Sequence, residues 1–263
     1  MFGFKKRRRE RLKREPFPPE WLAIVDRNVP YYQLLTEDER AELRGHVQVF
    51  LAEKQIEGAG GQAITDEVRV TIAAQACILL LHREADYYPE TLSIVVYPEQ
   101  YFAPATRHLA DGTVVEGLES RIGEAWNRGE VILSWDDVLY DAENPDDGEN
   151  VVFHEFAHQL DNEAGPHDGV PRLPSRAAYA AWRQVFAAEY AQLLDDRDHH
   201  RRTVLRKYGA TNPAEFFAVA TEAFFEKPRE LQARHADLYA LLAAYFRQDP
   251  AARLGSPPAQ LIN

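Results

Sequence analysis

The sequence predicts an α+β fold, mostly helical, with a small mixed sheet beside one functionally important helix. Three observations support this. Helical apolar periodicity occurs both early and late in the chain, while three short runs rich in β-branched residues lie near its middle. This order of helices, strands and helices is typical of α+β proteins. Finally, 263 residues with 45% hydrophobic content are enough for one domain with a sizeable core.

The chain begins with a strongly basic segment. Residues 1–14 carry eight Lys or Arg against one Glu, whereas the remainder carries 22 basic and 41 acidic side chains. We expect residues 1–16 to form a disordered arm that is either solvated or weakly attracted to anionic lipid or an acidic partner. Phe2 and Phe4 would add apolar contact to the second alternative. The acidic remainder argues against direct nucleic-acid binding.

Targeting features predict a cytoplasmic protein. No apolar core follows the basic residues, as a signal peptide requires, and the longest apolar run is too short to span a bilayer. The single cysteine, Cys77, excludes an internal disulfide and lies in the apolar run AAQACILLL. We interpret it as a buried, inert thiol in a reducing compartment.

One folded domain is predicted over residues 17–255, followed by a frayed C-terminus at 256–263. Thr36 and Glu39 form a capping-box pattern that begins the first helix. The other predicted elements follow in chain order: a helix over 66–83, strands over 91–98, 113–118 and 130–135, an acidic turn-rich segment over 136–150, and helices from about 151, over 175–196, from 213 and over 228–248. A loop containing Pro104 separates the first two strands.

The stretch VVFHEFAHQLD carries the chemistry that decides the function. With His154 at zero, His158 lies at about 40 degrees around the helix axis, on the side away from the apolar residues. Imidazoles four residues apart can converge on one ion. Glu155 points sideways, where it can reach a metal-bound water. The alternative is a solvated polar face, but the continuous apolar surface on the opposite side of this helix favours a catalytic zinc site.

A catalytic zinc usually has three protein ligands and an open position. Asp161 shares the histidine face but lies about 10 Å along the axis from His154, so we expect it to accept from the free N–H of a ligand imidazole. His167 is a weak candidate for the third ligand. His199 and His200 lie in a polar run and are expected to be solvated.

Two glutamates of a later helix are better candidates for the third ligand. Glu215 and Glu222 lie two turns apart among Phe, Ala and Val, where an unpaired carboxylate is costly to bury. Glu215 has a competing interpretation, because it stands three residues after Asn212 and could complete a capping box. Spacing alone leaves the two glutamates nearly equal.

The stretches HEFAHQLD and YGATNPAEFFAVATEAFF resemble the zinc-dependent peptidase family of Mlc titration factor A (MtfA). The second stretch is also similar to the catalytic domain of anthrax lethal factor. The resemblance spans about Pro18 to Leu254, includes the strand VILSWDD, and leaves the basic arm unmatched. It implies a zincin-like, gluzincin-type fold.

The resemblance also implies the site. His154, His158 and Glu215 would bind one Zn²⁺, and Glu155 would be the general base. Tyr208, seven residues before Glu215, would donate to the oxyanion, a role that suits a neutral phenol. The alternative for Tyr208 is an aromatic residue packed on the surface of a loop.

Two functions follow as expectations. The first is a cytoplasmic zinc metallopeptidase with aminopeptidase-like action on peptide substrates. The second is a regulatory binding protein that sequesters an Mlc-like transcriptional repressor, with or without catalysis.

Overall fold

The computed structural model describes residues 2–84, 86–99, 102–108, 114–120, 129–163, 165 and 168–255. The helices are α1 Phe2–Leu12, α2 Pro19–Asn28, α3 Glu37–Glu53, α4 Asp66–Ile78, α5 Trp135–Glu143, α6 Val151–Asn162, α7 Arg176–Asp198, α8 Pro213–Glu226, α9 Pro228–Arg234, α10 Ala236–Phe246 and α11 Pro250–Arg253. The strands are β1 Gln55–Gly58, β2 Ser93–Tyr97, β3 Phe102–His108, β4 Val114–Ser120 and β5 Glu130–Ser134. This mostly helical α+β architecture confirms the predicted class.

The central sheet has the order β1-β2-β5, and both of its pairings are parallel. The prediction of a mixed sheet is therefore wrong for the described residues. The antiparallel pair β3–β4 forms a separate sheet, and its two strands lie between β2 and β5 in the sequence. A parallel pairing needs a crossover connection, which α4 supplies between β1 and β2.

Two strands were not predicted. β1 has four residues and only one that is even partly buried, so its pattern carries little signal. β3 replaces the expected loop around Pro104, which lies opposite Leu118 of β4. Proline is depleted in strands because it lacks a backbone donor, and this explains the misassignment.

The N-terminal arm is helical, so the expectation of disorder is wrong. Arg9 of α1 lies 2.7 Å from Glu53 and 2.8 Å from Asp86, and these acids anchor the helix to the body of the protein. Gly45 of α3 lets Lys13 approach closely. The outer face of α1 leaves Phe4 79% exposed, and the possible contact of this face with anionic lipid stays a prediction.

Several helices begin or end at residues other than those predicted. α4 ends at Ile78 rather than near 83, and His82 adopts a positive φ of 62° in the turn that follows. The acidic segment begins as α5, because Ser134 accepts from Asp137 N and caps it. The predicted last helix is broken at His235, which pairs with Glu189 at 2.7 Å. Residues 256–263 lie outside the described residues.

The core surrounds α4, α6 and α8, whose apolar residues are almost completely buried. Phe153 of α6 contacts Phe225 of α8, with ring centroids 5.1 Å apart. Cys77 is buried and its pKa is raised by burial, as expected of an inert thiol. Within the described ranges, no helix combines the length and apolarity that crossing a bilayer requires.

Candidate metal centre

The helix α6 presents its histidines toward α8 rather than toward solvent. Its N-cap is Asn150, whose side chain accepts from Phe153 N at 2.9 Å and fixes where the helix begins. His154 is 7% exposed and His158 is fully buried. The alternative of a solvated polar face is therefore excluded, because imidazoles buried this deeply need partners.

The first turn of α8 supplies the third group. Asn212 caps this helix by accepting from Glu215 N at 3.0 Å, and Pro213 occupies the first helical position. Glu215 takes part in this cap through its backbone, while its carboxylate lies against the histidines of α6. The cap and the proposed ligand role are thus compatible.

Three donor atoms converge between α6 and α8. His154 Nε2 lies 3.0 Å from Glu215 Oε2 and 3.2 Å from His158 Nε2. His158 Nε2 lies 3.5 Å from the same carboxylate oxygen. One donor atom from each residue falls within 4.8 Å of the others, so this cluster could hold a metal ion.

Glu222 lies on the other side of His154. Its Oε2 is 3.4 Å from His154 Nδ1, so the two glutamates of α8 face opposite nitrogens of one imidazole. Arg206 Nη2 donates to both Glu222 oxygens at 2.6 and 2.7 Å, and Asn150 N donates to Oε1 at 3.1 Å. A metal-binding histidine commonly has such a carboxylate on its second nitrogen.

Electrostatics in the cluster favour a cation. Burial works against charge on His154, but the carboxylates of Glu222 and Glu215 outweigh it and raise the pKa of His154 to about 10. Burial likewise opposes ionisation of Glu215, but hydrogen bonds from His154 and His158 lower the pKa of Glu215 to about 2. A divalent ion would displace the imidazole proton and supply positive charge in its place. Two imidazoles and one carboxylate form a donor set that suits zinc.

Two further groups lie beside this cluster. Glu155 is 1% exposed, and its charge acts on both His154 and Tyr208. The Tyr208 ring lies 5.9 Å from the His154 ring, centroid to centroid, and is half exposed. Burial together with the charges of Glu215 and Glu155 raises the pKa of Tyr208 to about 12, so its hydroxyl remains a donor at neutral pH.

The expectation for Asp161 is wrong. Its Oδ2 accepts from Gly169 N at 2.9 Å, and its Oδ1 has no hydrogen-bond partner among the described residues. Asp161 therefore holds the loop that follows α6, and Glu222 takes the place expected for it beside an imidazole. His199 and His200 are exposed, as predicted. His167 lies outside the described residues.

Arg206 is the group that the sequence interpretation missed. It stands in a polar, Arg-rich run that looks solvated, although the structure buries most of it against Glu222. A usable signal was present, because a carboxylate within the apolar helix α8 requires a cationic or hydrogen-bonding partner.

Comparison with known proteins adds to this geometry. A family model described as glucose-regulated metallo-peptidase M90 matches residues 4–247, and so includes most of the basic segment that the sequence resemblance left unmatched. The uncharacterized protein slr2042 of Synechocystis sp. is 45% identical, over 92% of this chain and 89% of that protein. Mlc titration factor A of Serratia proteamaculans is 30% identical over 86% of each chain. Mlc titration factor A of Pectobacterium atrosepticum is 29% identical, over 90% of this chain and 88% of that protein.

Proposed function

Because the chain belongs to the family of glucose-regulated metallopeptidases M90, we propose that it is a zinc-dependent peptidase. His154, His158 and Glu215 would bind one zinc ion. The observation that carries this proposal is the convergence of one donor atom from each of these buried residues within 4.8 Å. A helical domain with a small sheet beside the histidine helix also supports a gluzincin-type fold.

When bound, zinc supplies a Lewis acid that polarises a carbonyl and makes a bound water acidic at neutral pH. The chain would supply the proton transfers. The Glu155 carboxylate would accept the proton of the attacking water and later deliver it to the leaving amine. Its burial beside His154 supports this assignment, since a base must be held close to the water that it deprotonates.

Tyr208 would stabilise the charge that develops during the reaction. Its hydroxyl stays protonated at neutral pH and can donate to the oxygen of the scissile carbonyl as that oxygen becomes negative. Its half-exposed position, next to a buried imidazole, supports a role at the mouth of the site, where the substrate enters.

Substrates would be peptides cleaved in an aminopeptidase-like manner. β5 is an outer strand of the central sheet among the described residues, and it contacts α6. An extended peptide could add to this edge through main-chain hydrogen bonds and so cross the metal centre. The buried free thiol Cys77 supports a reducing, cytoplasmic location for the enzyme.

Glu155→Gln tests the proposal, because the amide keeps the shape of the side chain but cannot accept the proton. Hydrolysis of amino-acid anilides should fall by a factor of about 100 or more, with zinc content unchanged. Glu149→Gln, at an exposed acid, is the matched control and should retain activity. Undiminished hydrolysis by a zinc-loaded Glu155→Gln protein would refute the role of Glu155.

A second function is favoured by the relatives named Mlc titration factor A. We propose that the chain also binds an Mlc-like repressor and thereby relieves repression without cleaving it. The expected result is equal repressor binding by the wild-type and Glu155→Gln proteins in a pull-down. Absence of binding by both proteins would remove this function and leave the peptidase proposal unaffected.

A further inference from the structure

A cavity separate from the metal centre, which we term the Glu226 cleft, lies between the 3-10 turn Pro30–Leu34, α4, α5, α6 and the end of α8. Its volume is about 550 Å³, within the range of small-molecule sites, and none of the proposed metal ligands lines it. It is therefore separate from the metal centre, although both contain residues of α6.

The inner wall of the Glu226 cleft is aromatic and apolar. It is formed mainly by Tyr31, Ile78, Phe153 and Phe225, all of which are buried in the core. The Tyr31 and Phe225 rings meet edge to face, with centroids 5.4 Å apart. A wall of this kind accommodates the ring or alkyl chain of a ligand.

The ionisable residues that line the cleft are all acidic. Its lining includes the acidic residues Asp141, Asp146 and Glu226 but no Lys, Arg or His. The adjacent basic residues are engaged elsewhere: Lys227 Nζ donates to the Asp147 carbonyl, and Arg253 pairs with Glu39. Among the described residues, Arg206 acts on Asp141 from outside the lining, whereas the charges that act most on Glu226 are all acidic.

Two buried acceptors in the lining have no hydrogen-bond partner in the described chain. Glu226 Oε1 accepts from Asn150 Nδ2 at 3.2 Å, but Oε2 has no partner, and neither has Gln75 Oε1. Glu226 is 9% exposed and Gln75 is 2% exposed. Acceptors this deeply buried are costly to leave unpaired, so they favour a ligand that donates hydrogen bonds.

We propose that the Glu226 cleft binds a small organic cation, an amine with an aromatic or alkyl body. The ammonium group donates to Glu226 Oε2 and Gln75 Oε1, and the body lies against the rings of Phe153 and Phe225. Ammonium groups are also attracted to aromatic faces. Burial and the charge of Asp141 raise the pKa of Glu226 to about 9 despite the hydrogen bond from Asn150, which fits an acid lacking its cationic partner.

Asn150 connects the cleft to the metal centre. Its side chain donates to Glu226 while its backbone N–H donates to Glu222, which in turn faces His154. Amine binding does not depend on the proposed peptidase chemistry, and the two can be tested separately.

The test is calorimetric titration of the metal-loaded protein with 2-phenylethylamine and with its neutral analogue 2-phenylethanol, to millimolar concentration. The amine should bind about tenfold or more tightly than the alcohol, because a hydrogen bond to a charged group is stronger than one between neutral groups. Glu226→Gln should bring the two affinities within about twofold of each other. Glu230→Gln, at an exposed acid of α9, is the matched control and should keep the full preference.

Asp141→Asn provides a second variant in case Glu226→Gln does not fold, and it should also weaken amine binding. Several results would overturn the proposal. Failure of the amine to bind would refute the proposal. Equal binding of amine and alcohol to the wild-type protein would also refute it, because the cleft would then bind only the apolar body of the ligand and not its charge. Amine binding that persists in every folded variant at Glu226 or Asp141 places the amine elsewhere, for example on the metal.

Discussion

Replacing Glu222 by Gln tests how the metal centre is held together. The substitution keeps the length and shape of the side chain but removes its charge and one acceptor. Arg206 Nη2 and Asn150 N donate hydrogen bonds to the oxygens of Glu222, and His154 Nδ1 lies 3.4 Å from Oε2. A glutamine offers one oxygen and one NH₂ group, so at least one of these donors would face another donor.

The magnitude follows from the position of Glu222. Removing the carboxylate behind a metal-bound imidazole typically lowers metal affinity by about 10–100-fold, or roughly 1.4–2.7 kcal/mol. Arg206 also loses its buried partner, and we expect the metal-free protein to unfold more easily by about 1–3 kcal/mol. Both effects should appear in one variant, because one carboxylate contacts both groups.

Zinc affinity is measured by competition with a chromogenic chelator, and stability is measured by denaturant unfolding of the metal-free protein. Glu149→Gln is the matched control, because Glu149 contacts the same Arg206 at 3.2 Å from the exposed side and is not a partner of His154. The control should retain zinc affinity within about twofold. A folded Glu222→Gln protein that binds zinc as tightly as the wild type would refute the positioning role.

Three other predictions concern stability. Gly169→Ala should cost about 2–4 kcal/mol of unfolding free energy, because φ at Gly169 is +74° and the new Cβ would lie 2.3 Å from Pro213 O. Gly61→Ala, where φ is +90° and no other atom lies close to the new Cβ, should cost about 1 kcal/mol in the same denaturant titration. Burial raises the pKa of Asp161 to about 6, so the folded chain binds more protons than the unfolded chain between about pH 4 and pH 6, and stability falls as pH rises through this window. Asp161→Asn should remove up to about 3 kcal/mol of that pH dependence. A variant whose unfolding free energy still falls with rising pH as steeply as that of the wild type would contradict this. Arg9→Gln should release α1 and speed hydrogen exchange over residues 2–12, whereas Arg11→Gln, at an exposed arginine, should not.

Local sequence signals predicted the helices that matter for the site. Asn212 was recognisable as the cap of α8, three residues before Glu215, and Asn150, which was not predicted as a cap, bears the same relation to Phe153 of α6. The spacing of His154 and His158 likewise determines that both imidazoles share one face. These features were predictable because each depends on residues within one turn of helix.

Features that depend on tertiary contact were not predictable in the same way. Spacing could not distinguish Glu215 from Glu222, since both lie on α8 and both face His154, at opposite ring nitrogens. The basic N-terminal segment has the composition of a disordered arm, and only the acids Glu53 and Asp86 of distant elements make it a docked helix. In each case the deciding partner lies far away in the sequence.

Anomalous diffraction at the zinc edge, from crystals of the zinc-loaded protein, tests the central claim most directly. The account predicts a single strong peak between α6 and α8, about 2.0–2.2 Å from His154 Nε2, His158 Nε2 and a carboxylate oxygen of Glu215. A zinc-loaded crystal with no peak at this position, or with the ion bound without Glu215, would contradict it.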